Sequence, residues 1–238
     1  MSIFDLSGKT ALVIRMCQIL RDAGRRPGVI SRGYGRTGRG LRLVSPASDP
    51  EIVGDEPLLI ARTAGVPVIV AADRCAAVRA LMKKQVDVII SDDGLQHYRL
   101  PRNLEICVVD GARGFGNGRL IPAGPLRESL DRLTSVDHII VNGETKNTPE
   151  LPGAVPMTLI AGLLRSMDDG QSWRLSQFAG CKANAVAGIA NPKRFFDLLR
   201  QARIKVVEHA FPDHHLFNPG DFEGLDSSLP ILMTEKDA

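Results

Sequence analysis

The chain has 238 residues, with 30 Lys and Arg against 27 Asp and Glu and a net charge of +3. Hydrophobic residues make up 44% and charged residues 24%, which excludes a disordered, collagen-like or coiled-coil chain. The mild net charge and the 5% aromatic content argue against a nucleic-acid partner. The length fits one or two domains, and neither a membrane-spanning run nor a secretory signal is evident.

The use of cysteine and arginine gives two further indications. The four cysteines are scattered with no C-x-x-C pair, which is typical of reduced core residues in a cytosolic protein. Of the 30 basic residues, 22 are Arg. Arg suits bidentate contacts with phosphate, although solvated surface arginines explain the excess equally well.

Short β-rich runs alternate with helical patterns from the first residues onwards, which favours a doubly wound α/β sheet. The pattern predicts, in chain order, a helix over 11–23, strands over 28–31 and 41–45, a helix over 56–64, a strand over 66–71, a helix over 74–84 and strands over 86–90 and 104–109. The last two strands are almost continuously apolar, as in a parallel sheet that is buried on both faces, and each is followed by acidic residues.

The composition changes near residues 144–157, where three prolines indicate a linker. We therefore predict a first α/β domain over 1–150, a linker with two short strands over 151–182, and an incomplete second α/β domain over 183–238. In that second domain the pattern predicts a strand over 185–190, a helix over 191–201 and strands over 205–211 and 231–234.

The tripeptide Gly8-Lys9-Thr10, at the start of a predicted helix, forms the second half of a P-loop, G-x-x-x-x-G-K-[ST]. In such a loop backbone N–H groups surround the phosphates, the Lys binds the β and γ oxygens and the hydroxyl binds Mg²⁺. The position of the first glycine is taken by Ile3. The half-motif is therefore either a damaged P-loop or a chance match.

Residues 33–38 (GYGRTG) match the dinucleotide fingerprint G-x-G-x-x-G, and Asp55 follows at about the spacing of a ribose-binding acid. A strand-like run follows the third glycine where that fold needs a helix. We therefore interpret the segment as a basic loop near phosphate.

Carboxylates follow the apolar strand over 86–90. Asp92 and Asp93 stand at its C-terminal end, where open α/β sheets bind ligands, and this is the position of a Walker B aspartate that holds Mg²⁺. An ordinary Asp-Asp-Gly turn is the competing interpretation. Gln96 and His97 follow on the same loop.

Two further acidic or histidine-containing segments stand out. Residues 54–57 (GDEP) contain Asp55, which either caps a helix or acts on substrate. Residues 212–215 (PDHH) contain paired histidines without a third metal-ligand pattern, so His214 is better interpreted as the partner of a general base.

Taken together and in this order, these segments resemble the tetraacyldisaccharide 4′-kinase family of the lipid A pathway. The segments that carry the resemblance are 8–10 (GKT), 26–35 (RPGVISRGYG), 54–57 (GDEP), 91–97 (SDDGLQH), 110–111 (DG), 116–118 (GNG), 120–128 (LIPAGPLRE), 190–192 (ANP), 211–215 (FPDHH) and 234–238 (TEKDA).

The resemblance implies an ATP- and Mg²⁺-dependent kinase with a P-loop-type parallel sheet. It would transfer the γ-phosphoryl group of ATP to the 4′-hydroxyl of an acylated disaccharide 1-phosphate, at the cytoplasmic face of the inner membrane. By resemblance, ATP would be bound by Ser7, Gly8, Lys9 and Thr10, and the metal by Thr10, Asp92 and Asp93. Asp55 would be the catalytic base, with His214 as its partner. The remaining family positions that line the site are Arg32, Glu56, Gln96, Arg127 and Glu128.

The chain departs from the family pattern at both ends. The resemblance implies an N-terminal membrane-associated segment and a strand that feeds the P-loop, and we expect this chain to lack both and to end inside the second domain. The first 13 residues resemble the start of a short-chain reductase, but that enzyme's glycine-rich turn and Tyr–Lys pair are missing, so we expect a foreign start joined to a kinase. The alternative function is an inactive relic that keeps the shape of the site and cannot hold ATP.

Overall fold

The computed structural model describes residues 2–3, 8–144, 151–160, 163–189, 191–213, 215–235 and 237. The chain divides into two compact units. The first unit comprises Ser7–Leu159, and the second comprises Met1–Leu6 with Ile160–Ala238.

The strands are β1 (Ser2–Ile3), β2 (Pro27–Ser31), β3 (Arg42–Val44), β4 (Val68–Val70), β5 (Val88–Ser91), β6 (Ile106–Asp110), β7 (His138–Asn142), β8 (Val155–Met157), β9 (Leu163–Arg165), β10 (Ser172–Arg174), β11 (Lys182–Ala187), β12 (Lys205–Ala210) and β13 (Ile231–Thr234). The α-helices are α1 (Gly8–Asp22), α2 (Pro50–Val53), α3 (Asp55–Ala64), α4 (Arg74–Met82) and α5 (Pro192–Gln201). Short 3-10 helices cover Leu130–Ser135, Leu175–Phe178 and Pro219–Phe222.

The first unit contains two sheets. One has the order β3-β4-β2-β5, in which β2 is parallel to both β4 and β5, and β3 is antiparallel to β4. The other has the order β6-β7-β8 and is parallel throughout. Because parallel strands point the same way, the C-terminal ends of β2, β4 and β5 lie along one edge of their sheet.

The core of the first unit follows from its apolar strands. Every residue of β2 and β4 is buried, and helix α4 packs on both strands. A buried cluster joins Ile30 of β2 and Ile69 of β4 to Ala77 and Leu81 of α4. This packing fixes the start of α4 beside the C-terminal ends of the strands, since the helix runs back from that edge.

The second unit is a six-stranded sheet in the order β10-β9-β1-β13-β11-β12. Strands β11, β12 and β13 are parallel, and β1 pairs in parallel with β13. Helix α5 buries Phe195, Phe196 and Leu199 in the core of this unit. In the part of the chain that the structure describes, no helix is both long and apolar enough to cross a membrane.

The predicted α/β architecture with parallel strands is confirmed, and the strands and helices of the first unit lie within about three residues of their expected bounds. Strand β7 and the short helix α2 were not predicted. The two compact units meet in the sequence between residues 159 and 160. The expected first domain ends at residue 150, and the expected second domain begins at residue 183. The predicted linker does not stand apart: β8 pairs with β7, and β9 and β10 join the sheet of the second unit.

Helix α4 offers a matched test of the core. Leu81 is fully buried and its neighbour Met82 is 63% exposed. We expect Leu81→Ala to lower the free energy of unfolding by about 2–5 kcal/mol because it leaves a cavity, whereas Met82→Ala should change it by less than about 0.5 kcal/mol. Urea denaturation measures both. Equal effects of the two substitutions would contradict the placement of α4.

Candidate functional site

The site begins where β2 and β5 end side by side. The register pairs Ile30 with Ser91, so Ser31 and the loop after Ser91 lie at the same edge of the sheet. Asp92 and Asp93 are the first two residues of that loop, and the backbone N–H of Asp92 still bonds to the carbonyl of Ile30. The sheet therefore delivers two adjacent carboxylates to the position where α/β folds bind ligands.

Asp92 is the buried carboxylate of the site. It is only 3% exposed, and the Ser31 hydroxyl donates to its Oδ2 at 3.4 Å. Burial, reinforced by the nearby negative charge of Glu56, raises the pKa of Asp92 to about 6, although Lys9 and Arg74 oppose the shift. A buried carboxylate at the end of a parallel strand is costly to the fold, and such groups cluster at functional sites.

Asp93 faces the cations. Its Oδ1 accepts a hydrogen bond from Lys9 Nζ at 2.7 Å, and its Oδ2 lies 3.5 Å from Arg127 Nη1. Burial works against ionisation, but the hydrogen bond and charge of Lys9, followed by those of Arg127, hold the pKa of Asp93 below its usual value. Its backbone φ of 48° is left-handed, a conformation that Asp tolerates better than most residues and that marks a tightly constrained loop.

Helix α1 begins at the half-motif of the P-loop, as predicted. Gly8 is its first residue, Lys9 points to Asp93, and Thr10 is buried. A side chain at position 8 would collide with the amide of Asn142, the last residue of β7. Glycine therefore allows the start of α1 to approach the C-terminal end of β7, which brings a second sheet edge to the site.

Arg74 is a member of the site that the sequence did not reveal. It is 4% exposed, and it donates to Ser91 Oγ at 2.9 Å and to the carbonyl oxygens of Asp92 at 2.7 Å and Asp93 at 3.3 Å. Burial lowers its pKa although both aspartates oppose this, and the charge of Arg32 lowers it further. The only signal in the sequence was an Arg at the start of a helix beside a sheet edge, and nothing there separates it from the other arginines.

The segment that contains Asp55 opens helix α3. Gly54 is the N-cap with φ 93°, so Asp55 is the first helical residue and not the cap that the sequence suggested. A Cβ at position 54 would lie 3.3 Å from Gly33 Cα, which shows how closely the start of α3 approaches the loop after β2. The next element after residues 33–38 is strand β3 and not a helix, in agreement with the rejection of a dinucleotide fingerprint.

Arg127 and Glu128 contact the loop over residues 92–97, which we call the acidic loop, at Asp93 and Gln96. Gln96 Nε2 donates to Glu128 Oε2 at 2.8 Å, and Arg127 contacts Asp93 as described above. Of the predicted site residues, the structure thus brings seven together: Lys9, Glu56, Asp92, Asp93, Gln96, Arg127 and Glu128. Arg32 follows the last residue of β2 and acts on Arg74 by charge.

Two predicted site residues, Ser7 and His214, lie outside the described residues. In the second unit the neighbouring His215 is described: its Nε2 lies 3.0 Å from Asp221 Oδ2, and its ring stacks on Phe211 at a centroid distance of 4.7 Å. This histidine is therefore held by a carboxylate and an aromatic ring.

The donor set at the end of β5 fits a hard divalent cation such as Mg²⁺. Within the described residues no group of three or more His, Cys, Asp or Glu side chains is arranged as a complete metal cage. Mg²⁺ is normally held by one or two carboxylates together with substrate phosphates and water. Asp92, Asp93 and the hydroxyl of Thr10 have that chemistry.

A parallel α/β sheet with a lysine at the start of a helix, beside two aspartates at a strand end, is typical of proteins that bind nucleotide phosphates. A family model described as tetraacyldisaccharide-1-P 4′-kinase matches residues 4–238, and the chain belongs to that family. The match includes most of the segment that we expected to be a foreign start.

Individual relatives agree with the family model. The chain is 49% identical over 241 residues to the tetraacyldisaccharide 4′-kinase of Xanthomonas euvesicatoria pv. vesicatoria, covering 98% of this chain and 70% of the relative. It is 47% identical over 237 residues to that of Xylella fastidiosa, with the same coverage. A crystal structure of LpxK from Aquifex aeolicus in complex with ATP matches with a TM-score of 0.76 and 29% identity, over 99% of this chain and 76% of that one. The predicted family and fold class are confirmed, and no comparison supports the inactive relic.

Neutralising Asp92 should stabilise the protein. The pKa of Asp92 is raised from 3.8 to about 6 in the folded state. Its carboxyl group therefore stabilises the fold below pH 4, and this stabilisation is lost as the pH rises through 6. We therefore expect Asp92→Asn to be more stable than the wild type near pH 7.5, by up to about 3 kcal/mol, with the difference shrinking between pH 6 and 4.

Asp93→Asn is the matched control of opposite sign, because the pKa of Asp93 is lowered and its ionised form stabilises the fold at neutral pH. Thermal unfolding from pH 4 to 8 measures all three proteins. A stability difference between Asp92→Asn and the wild type that grows towards low pH would contradict the burial of this charge.

Proposed function

We propose that this chain transfers the γ-phosphoryl group of ATP to the 4′-hydroxyl of a tetraacyldisaccharide 1-phosphate, a step of lipid A biosynthesis. The observation that carries the proposal is the 2.7 Å contact between Lys9 Nζ and Asp93 Oδ1. It joins the lysine of a P-loop half-motif to the aspartate at the end of a parallel strand. In P-loop kinases the nucleotide phosphates and their metal lie between two such residues.

In this proposal the start of α1 binds the triphosphate. The backbone N–H groups of Ser7 and Gly8 and the ammonium group of Lys9 supply positive charge to the β and γ oxygens. Lys9 is half exposed and bonds to a single carboxylate oxygen, so it can exchange Asp93 for a phosphate without leaving a buried charge unpaired.

Mg²⁺, when bound, would neutralise charge on the phosphates, and Thr10, Asp92 and Asp93 are the residues that would hold it. Burial, followed by the charge of Glu56, raises the pKa of Asp92 more than Lys9 and Arg74 lower it. A cation at this edge of the sheet would supply further positive charge.

Asp55 is the proposed general base for the sugar hydroxyl, with His214 as its partner. Its position in the first turn of α3, directly before Glu56, whose charge acts on Asp92, supports this role. A base at this position removes the hydroxyl proton as the oxygen attacks phosphorus, and the protein otherwise contributes by placing charges.

The remaining polar side chains would orient phosphate and sugar. They are Arg32, Glu56, Arg74, Gln96, Arg127 and Glu128. Arg127 and Arg74 are placed to balance the negative charge of the acidic loop, and Gln96 and Glu128 hold each other at 2.8 Å. Because the acceptor carries four acyl chains and ATP is a cytoplasmic substrate, we place the reaction at the cytoplasmic face of the inner membrane, with peripheral contact between protein and lipid.

A phosphotransfer assay with radiolabelled ATP, Mg²⁺ and tetraacyldisaccharide 1-phosphate tests the proposal. We expect activity in the wild-type chain, and a loss of about 100-fold or more in Lys9→Ala, since one charge-stabilising donor is worth that much. Asp55→Asn should lose about 10²–10⁴-fold in kcat if Asp55 is the base.

Asp87→Asn is the control. Asp87 lies directly before β5, at the end of the strand opposite the site, and pairs with Arg26, so we expect Asp87→Asn to keep the wild-type activity. An inactive wild-type chain would contradict the proposed function. An active wild type with unimpaired Lys9→Ala and Asp55→Asn variants would contradict the assigned roles.

A further inference from the structure

Two arginines and a glutamate form a cluster next to the acidic loop of residues 92–97. Glu105, directly before β6, accepts hydrogen bonds from Arg132 Nη2 at 2.7 Å on Oε1 and 2.6 Å on Oε2, and it forms an ion pair with Arg102 Nε at 2.9 Å. The Glu105 side chain is 13% exposed. This carboxylate is therefore the shared partner of two guanidinium groups in a partly desolvated setting.

The first arginine holds the backbone of the acidic loop. Arg102 Nη1 donates to the carbonyl oxygens of Gly94 at 2.8 Å and Leu95 at 3.0 Å. The same Gly94 carbonyl also accepts the backbone N–H of His97 at 2.9 Å. Arg102 thus connects Glu105 to the turn that follows the two aspartates.

The second arginine reaches a side chain of the same loop. Arg132 Nε lies 3.9 Å from Glu128 Oε1, and Glu128 accepts a hydrogen bond from Gln96 on its other oxygen. Arg132 is also fixed by its own bond to Ser135 Oγ at 2.6 Å. Glu105 therefore acts on the loop through two routes, one by way of the backbone and one by way of Gln96.

Glu105 is itself immobilised by the sheet of β6 and β7. Its backbone N–H donates to Asp137 Oδ2 at 2.7 Å, and its carbonyl accepts the N–H groups of Asp137 and His138 at 3.1 Å. Because its backbone is bonded to Asp137 and His138, Glu105 can hold the loop in a fixed position relative to this sheet. Side chains that hold functional residues in place commonly matter nearly as much as the residues themselves.

We propose that Glu105 is a positioning residue, which, through Arg102 and Arg132, holds the acidic loop in the geometry that phosphoryl transfer requires. The inference rests on the proposed function. Without the carboxylate, two guanidinium groups would face each other with no shared counter-charge, and the contacts to Gly94, Leu95 and Glu128 would loosen.

The test compares wild type, Glu105→Gln, Gln96→Ala and the double variant. We expect Glu105→Gln to lower kcat about 10–100-fold, as for other residues that hold functional side chains in place without contacting the substrate. The KM for ATP should stay within about 3-fold of the wild-type value, because Lys9 is unchanged. In the Gln96→Ala background the further loss from Glu105→Gln should be smaller than in the wild type, since the route through Gln96 is already broken and only the route through Arg102 remains.

Amide hydrogen exchange gives a readout that does not depend on turnover. The N–H of His97 bonds to the Gly94 carbonyl that Arg102 holds, so its exchange should accelerate in Glu105→Gln. Glu208→Gln is the matched control: Glu208 and Asp197 share Arg200 in the second unit, and its loss should change neither kcat nor this exchange rate. If Glu105→Gln fails to fold, Arg132→Lys replaces it, because Lys keeps the charge but has one nitrogen where the guanidinium contacts Glu105, Glu128 and Ser135 through three.

Unchanged kcat in Glu105→Gln, losses that multiply fully in the double variant, or unchanged exchange at His97 would each overturn the inference. An inactive wild-type chain would instead refute the proposed function. The exchange measurement would still decide whether Glu105 holds the loop: faster exchange would support this and an unchanged rate would overturn it.

Discussion

The buried carboxylate of Asp92 is the constraint around which the first unit is arranged. Its 3% exposure places a negative charge at the end of a parallel strand, where the fold must compensate for lost hydration. Ser31 donates to the carboxylate, Arg74 holds the backbone of the aspartate pair, and Lys9 approaches from α1. These contacts compensate only in part, because the pKa of Asp92 remains raised. Proteins commonly keep such a loss of stability at functional sites.

The compensation comes from segments that are far apart in the sequence. Lys9 and Asp93 are separated by 84 residues, Ser31 and Asp92 by 61, and Gln96 and Glu128 by 32. Parallel strands make this possible because each crossover returns the chain to the same edge of the sheet. The packed helices α1, α3 and α4 then begin at that edge with Lys9, Asp55 and Arg74 in their first turns.

Much of this arrangement could be predicted from the sequence, because apolar runs followed by Asp identify strands and their C-terminal ends. Strand β5 was expected within two residues, and Asp92 and Asp93 with it. Arg74 was missed because its contacts lie 17 to 19 residues away and its type is the commonest charged residue in the chain. Strand β7 was missed although its five residues include an Ile-Ile-Val run. Strand β9 pairs with β1 and β10 pairs with β9, and no local pattern in the sequence indicates that they join the sheet of the second unit.

The central claim is that the pair formed by Lys9 and Asp93 marks the position of the nucleotide and its metal. A crystal structure of this chain with a non-hydrolysable ATP analogue and Mg²⁺ tests it most directly. We predict that Lys9 Nζ leaves Asp93 and contacts a β or γ oxygen at about 2.7–2.9 Å, as expected for a charge-assisted hydrogen bond. A nucleotide bound elsewhere, with the contact between Lys9 and Asp93 intact, would contradict the account.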